Sequence, residues 1–240
     1  MEAPATLKSL VAEMPDPDDR GMYTNGMDKE KIERAIVAMY QGGRKMVLGL
    51  VEMLAAPGSD ADLKPHYALH CLANHILVVK DEAARRACSE ILAGELGSDR
   101  PQHVKAYLCQ ELAWLARHEA APALGKLLLD EELVEPAATA LVAIREGAAE
   151  QFRAALPHAR GKCRLNIIQG LGAVEDAASV ESLRLAIRDA DRETRLAAGW
   201  SLARIGDAEA VDLLLQAADA APSWERTQAT KHCLLLAEKL

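Results

Sequence analysis

The stretch Arg188-Asp189-Ala190-Asp191-Arg192-Glu193-Thr194-Arg195-Leu196-Ala197-Ala198, continued by Leu202-Ala203-Arg204-Ile205-Gly206-Asp207, decides the fold of this 240-residue chain. Counted from Arg195, positions +3, +7 and +10 are Ala198, Leu202 and Ile205. At about 100° per residue these three fall on one face of a helix. Asp191 stands where the first turn needs an acceptor for its free N–H groups. Gly206 follows the last apolar position, where a helix commonly stops.

The same offsets recur outward from this stretch. Arg164 gives Ile167, Leu171 and Val174; Val134 gives Ala137, Leu141 and Ile144; Lys105 gives Leu108, Leu112 and Leu115; Arg226 gives Ala229, Cys233 and Leu236. The anchors 105, 134, 164, 195 and 226 are 29, 30, 31 and 31 apart. Two looser copies precede them: His66 with Leu69, Ala73 and Ile76, and Lys29 with Ile32, Ile36 and Met39. A second apolar helix follows within each period, with core positions at Leu124, Leu127 and Leu128, then Phe152 and Leu156, then Val180, Leu183 and Ile187, then Val211, Leu214 and Leu215. Two helices in roughly 30 residues, each burying its apolar face only against neighbours, predict an all-α solenoid of about six to seven antiparallel hairpins. The expected solenoid covers residues 28–240. Residues 1–27 are expected to form an irregular N-terminal segment or cap with a short helix near Thr6–Glu13.

The punctuation fits this reading. Asp176, Asp191 and Asp207 are placed as N-caps, and Ser59 to Asp62 has the spacing of a capping box. Pro57-Gly58, Pro101 and Pro222 mark breaks, and Pro136 falls in a first turn, where its missing N–H costs little.

Arg188 to Ala198, with Leu202 to Asp207, resembles the short bacterial HEAT repeats also called PBS-lyase HEAT-like. The resemblance is strong over residues 100–240 and holds only in pattern over residues 28–97. It implies a stacked-hairpin fold, and it is weak for function because such repeats serve scaffolds, adaptors and a few enzymes.

Composition narrows the function classes. Half the residues are hydrophobic but only 3% are aromatic, Phe152 being the one phenylalanine. The net charge of −8 opposes phosphate backbones, so no nucleic-acid partner is expected. The five cysteines, Cys71, Cys88, Cys109, Cys163 and Cys233, form no C-x-x-C and read as small buried hydrophobes. No apolar run reaches the ~20 residues of a membrane helix, and the first residues lack the basic and apolar regions of a signal peptide. The default location is therefore cytoplasmic. Glu2-Ala3-Pro4-Ala5 after Met1 leaves open a processed terminus and a periplasmic or secreted protein.

Four groups of residues are candidates for chemistry or contact. A basic ladder of Lys105, Arg164, Arg195 and Arg226, together with Lys29 and His66, is expected at a partly buried helix edge. The resemblance implies that its arginines bond loop carbonyls and an aspartate such as Asp189, Asp191 or Asp219. His66 and His70 are one helical turn apart, a spacing that lets two imidazoles share a metal, and His103 of the next repeat is a third candidate. The dipeptide His118-Glu119 resembles a motif of the HEAT-repeat di-iron hydroxylase that modifies deoxyhypusine. That family needs several such dipeptides, and this chain has one.

Trp200 is the fourth. It occupies offset +5, where Gln110, Thr139 and Gln169 are polar, so the repeat's own packing does not call for an aromatic there. Trp114 also leans away from the core. With Leu196 and Arg204, Trp200 is expected to form a contact surface able to anchor a partner or a weak homodimer. Solvent-facing residues of the second helices, Glu150, Arg153, Glu181 and Arg184, are expected to line a groove.

The reading is a non-catalytic scaffold or adaptor for a protein or peptide, with no cofactor. The alternative is a metal-binding or enzymatic HEAT protein using the His66/His70 region.

Overall fold

The computed structural model describes residues 6–18, 27–54, 62–219 and 223–240, and these divide by contact into two units, Met1–Ala120 and Ala121–Leu240. Pro57-Gly58, Ser59 of the capping box, and Pro222 lie outside the described residues.

The first unit holds α1 (Leu7–Ala12), α2 (Lys29–Gly42), α3 (Arg44–Glu52), α4 (Leu63–Val79), α5 (Glu82–Glu95), α6 (Gln102–Leu115) and a 3-10 turn at His118–Ala120. The second holds α7 (Ala121–Gly125), α8 (Val134–Ile144), α9 (Ala148–Ala155), α10 (Gly161–Ala173), α11 (Val180–Ala186), α12 (Arg192–Ile205), α13 (Val211–Ala218) and α14 (Trp224–Lys239). No strand occurs among the described residues. Every anchor of the sequence repeat lies in an even-numbered helix, and the odd-numbered helices from α3 onward are the second members of the periods.

Packing within each unit follows that alternation. In the second unit α10 lies between α8 and α12, and α12 also packs on α14. α7 packs on α9 in the other layer, and α11 and α13 pack against the even-numbered helix that follows each. In the first unit α4 packs on α2 and α6, while α3 packs on α5. This stacking of antiparallel helical hairpins is an α-solenoid. The +3 and +7 side chains are its core: Leu69, Leu108, Leu112, Ala137, Leu141, Ile167, Leu171, Ala198 and Leu202 are all fully buried. Burying each leucine contributes about 1.5–3 kcal/mol relative to leaving it in water.

Local chemistry explains the boundaries. Thr6 accepts a hydrogen bond from the Ser9 N–H and starts α1, which packs on α2, α3 and α4 and buries Leu10 and Val11. Asp28, Asp81 and Asp191 cap α2, α5 and α12 by accepting from the N–H three residues on. Several even-numbered helices end in a left-handed residue: Lys80 (φ 57°), Arg145 (φ 63°), Glu175 (φ 59°) and Gly206 (φ 84°). Only Gly206 takes that conformation without steric cost.

The structure departs from the expectations in three places. Asp176 and Asp207 precede 3-10 turns at Ala177–Ser179 and Ala208–Ala210 but make no side-chain cap bond. Their carboxylates are taken by arginines instead. Asp62, expected in the first turn of a helix opened by Ser59, instead directly precedes α4 and makes no side-chain cap bond. Leu215, expected in the core, is 53% exposed. It lies eight residues after Asp207, the position that Arg184 holds after Asp176, and so sits on the rim of its helix.

Candidate binding surface

The outward edge of α8, α10 and α12 forms a groove of about 510 Å³, lined by Ala138, Thr139, Val142, Asn166, Gln169, Gly170, Ala173 and Trp200. Its shape follows from two glycines of α10. A Cβ on Gly170 would stand 2.4 Å from the Phe152 ring of α9, and one on Gly172 would stand 2.6 Å from the Cα of Ser201 on α12. Only hydrogen fits at either place, so α10 is drawn against both neighbours. The small residues Ala138, Thr139, Gly170 and Ala173 leave the floor low, and Trp200 rises as a half-buried wall.

Trp200 is held by charge. The Arg204 guanidinium lies 5.9 Å from the indole centroid, within the range of a cation–π contact. Arg204 also donates to Glu175 Oε1 at 2.9 Å, and Lys239 donates to Glu175 Oε2 at 2.9 Å. The Lys239 hydrogen bond, helped by both cations, holds the Glu175 carboxyl below the usual range. Leu196, one turn before Trp200, is half-buried. Trp114, on α6, is 68% exposed, and Trp224, which opens α14, lies 5.4 Å from the Arg192 guanidinium.

The second-helix candidates form a different arrangement. Arg184 donates to both carboxylate oxygens of Asp207, at 2.7 Å from Nε, and also to Glu181 and Glu209. Arg153 donates to Asp176 and lies 3.7 Å from Glu150. The hydrogen bonds that it donates to Asp207 raise the Arg184 guanidinium further above its ordinary range. The two guanidiniums therefore tie each second helix to the turn that opens the next. Glu150 and Glu181 keep exposed side chains. In the first unit Arg85 plays the same part. It donates to Glu119 at 2.6 Å and to the Leu115 carbonyl at 2.8 Å. This ladder was missed in the sequence, although Arg153–Asp176 and Arg184–Asp207 share a spacing of 23 residues.

Glu119, of the His118-Glu119 dipeptide, is thus committed to an ion pair. Burial works against its charge, but the Arg85 hydrogen bond and nearby main-chain N–H groups hold it down to about 2. On the basic ladder, Arg195 donates to the Asp189 and Ala190 carbonyls at 2.9 Å each and to Glu225 at 2.9 Å. Arg164 lies 3.4 Å from the Asp189 carboxylate. Lys105 and Arg226 stand in the first turns of α6 and α14, where Ser223 caps the Arg226 N–H.

His66 and His70 line the α4 edge that faces α6. The His66 ring meets Tyr107 edge-on at 4.2 Å between centroids, and His70 Nδ1 donates to the buried Glu111 carboxylate at 3.1 Å. His103 lies one turn before Tyr107. Glu111 was also missed in the sequence, although a carboxylate among Leu108, Cys109 and Leu112 was the available signal. Burial pushes the Cys88 and Cys109 thiols up to about 12, so neither is a ready nucleophile. Among the described residues, no three His, Cys, Asp or Glu side chains converge as a metal-holding group, and no helix is long and apolar enough to cross a membrane.

Among curated proteins, none matches the chain. Of solved structures, a crystal structure of an engineered protein is 21% identical at a TM-score of 0.49, covering 80% of this chain and 97% of its own. A structure from work on a phosphorylation switch that controls the interaction between cadherin and beta-catenin is 16% identical at a TM-score of 0.42. It covers 97% of this chain, which spans 54% of that longer one. The family described as HEAT repeats matches residues 149–234, the segment from α9 to α14. The matched segment is thus similar to HEAT repeats, and the same two-helix unit recurs through the described residues before it.

Proposed function

We propose that the protein is a non-catalytic binding scaffold that holds a protein or peptide partner in the groove of α8, α10 and α12. The observation that carries this reading is Trp200, placed where sister repeats have polar residues and standing as the wall of an open groove. A half-buried indole beside a low, small-residue floor is ready to bury its remaining face against an incoming side chain. That contact contributes about 2–3 kcal/mol, enough to anchor a partner but not to bind one alone. Exposed Gln169 and Thr139 supply hydrogen-bonding groups along the same floor.

Three acidic groups are engaged in structural work: Glu119 by Arg85, and Asp176 and Asp207 by the second-helix arginines. The finer likeness to bacterial PBS-lyase HEAT-like repeats, carried by Arg188 to Asp207, belongs to the same reading. The second-helix face, with the exposed Glu150 and Glu181 carboxylates beside Arg153 and Arg184, is the secondary contact surface. Self-association through Trp200, Leu196 and Arg204 is the homodimeric form of the proposal.

A comparative pull-down from the source cells tests it. Trp200→Ala should lose the partners that the wild-type chain retains, while a variant altered at Glu150 and Glu181 keeps most of them. Identical recoveries from wild type and Trp200→Ala would refute the groove assignment. Light scattering separates the homodimer: a mass that rises with concentration in wild type and not in Trp200→Ala supports it.

A further inference from the structure

The geometry points to a two-histidine site for a divalent transition-metal ion on α4, made by Nε2 of His66 and Nε2 of His70. The inference is independent of the groove and of any partner.

The argument starts from the other ring nitrogens. His66 Nδ1 lies 2.9 Å from the Asp62 main-chain carbonyl and 3.3 Å from the Asp62 carboxylate. His70 Nδ1 lies 3.1 Å and 3.3 Å from the two oxygens of Glu111. All of these oxygens are acceptors, so Nδ1 must be the donor in both rings. A neutral imidazole carrying its proton on Nδ1 presents an unprotonated lone pair at Nε2. A histidine held in this way, with Nδ1–H on a carboxylate or carbonyl, is the usual form of a metal-ligating histidine.

The two rings also share a register. His66 and His70 are one turn apart on the same helix. They face residues one turn apart on α6: Tyr107 packs edge-on against His66 and donates to its carbonyl at 2.8 Å, and Glu111 accepts from His70. Both ring planes are therefore fixed by α6 before any ion arrives. The Glu111 side chain is only 4% exposed, whereas that of His70 is 46% exposed. A buried carboxylate holds the Nδ1 edge of the ring, while nearly half of the His70 side chain stays open to solvent.

The ligand class follows from the donors. Two imidazoles without a thiolate suit zinc, copper or nickel rather than magnesium or calcium, which take oxygen. Among the described residues no third His, Cys, Asp or Glu completes the set. The described residues thus leave the remaining positions of the ion to water or to an external ligand, as in an exchangeable rather than a closed structural site.

The test is isothermal titration of the metal-free full chain with Zn²⁺ and, separately, Cu²⁺. One saturable site is expected. His66→Ala and His70→Ala should each abolish it, and His158→Ala should not. Glu111→Gln should weaken it about 10–100-fold, the usual effect of losing such a supporting carboxylate. Because Glu111 is buried, a second measurement stands apart from that variant's folding. Imidazole ¹⁵N NMR of the wild-type chain should show Nδ1 protonated in both rings, and zinc should shift Nε2 of His66 and His70. No saturable site, a site that survives in His66→Ala or His70→Ala, or coordination through Nδ1 would each overturn the assignment.

Discussion

Gly172 on α10 lies so close to Ser201 on α12 that a Cβ added to the glycine would stand 2.6 Å from the Ser201 Cα. Ser201 fills the space beside it and donates to the Ile168 and Ala197 carbonyls at 2.9 and 2.8 Å. The contact sets the spacing of two helices that frame the groove. Gly172→Ala should therefore destabilise by about 1–3 kcal/mol, the usual cost of overpacking, because the atom in the way is backbone and cannot swing aside. Denaturant unfolding measures this. A midpoint unchanged from wild type would mean that the helices are not so closely drawn.

The Arg85–Glu119 pair makes a second prediction. Both side chains are only 6% exposed, so Arg85→Ala strands a carboxylate away from water. The expected loss is about 3 kcal/mol, and Glu119→Gln added to Arg85→Ala should recover part of it. Additive losses in the double-mutant cycle would contradict the coupling.

Two groups give the protein a two-stage acid profile. His232, buried in α14, is pushed down from 6.5 to about 4, first by burial and then by Lys231. Its folded form stays neutral while the unfolded chain takes up a proton, so stability is full above pH 6.5 and falls as the pH drops toward 4. The loss is of the order of 3 kcal/mol. Glu119, held at about 2 against 4.5 in a free carboxyl, contributes stability that is present above pH 4.5 and lost as the pH falls toward 2. Unfolding followed against pH should show both stages, and His232→Leu should flatten only the first. An unchanged slope between pH 6.5 and 4 in that variant would sink the assignment.

The left-handed residues that end the even-numbered helices differ in cost. Lys80→Gly should stabilise by about 0.5–1 kcal/mol, since lysine pays for φ 57° in steric strain. Gly206→Ala, at φ 84°, should destabilise by about 1 kcal/mol. Thermal melts with the two changes moving in the same direction would refute the strain argument.

The helical framework could be read from the sequence because the core is periodic. Leu171 and Leu202 repeat at fixed offsets, and a helix with one apolar face has only one way to bury it. Asp191 and Gly206 were legible as helix boundaries for the same local reason. What could not be read depended on neighbours distant in sequence. Asp207 looked like a cap, but Arg184 takes its carboxylate, and nothing local to Asp207 records that competition. Leu215 satisfies the apolar pattern and still faces solvent, because it sits on the rim of α13 while Leu214 and Val211 face the core. For the surface, Trp200 stood out as a break in a polar series. The low floor beside it was hidden in Gly170, and the close approach of α12 in Gly172; neither glycine carries a pattern of its own. Glu111 was passed over because its partner, His70, lies 41 residues away.

The most direct test of the scaffold reading is site-specific photo-crosslinking in the source cells. A photoreactive residue replaces Gln169 in the groove or, in a second strain, Leu185 on the second-helix face. The account predicts a discrete adduct from position 169 that disappears when Trp200→Ala is added, and little or none from position 185. An adduct at 169 that persists in Trp200→Ala, or capture at 185 with none at 169, would contradict it.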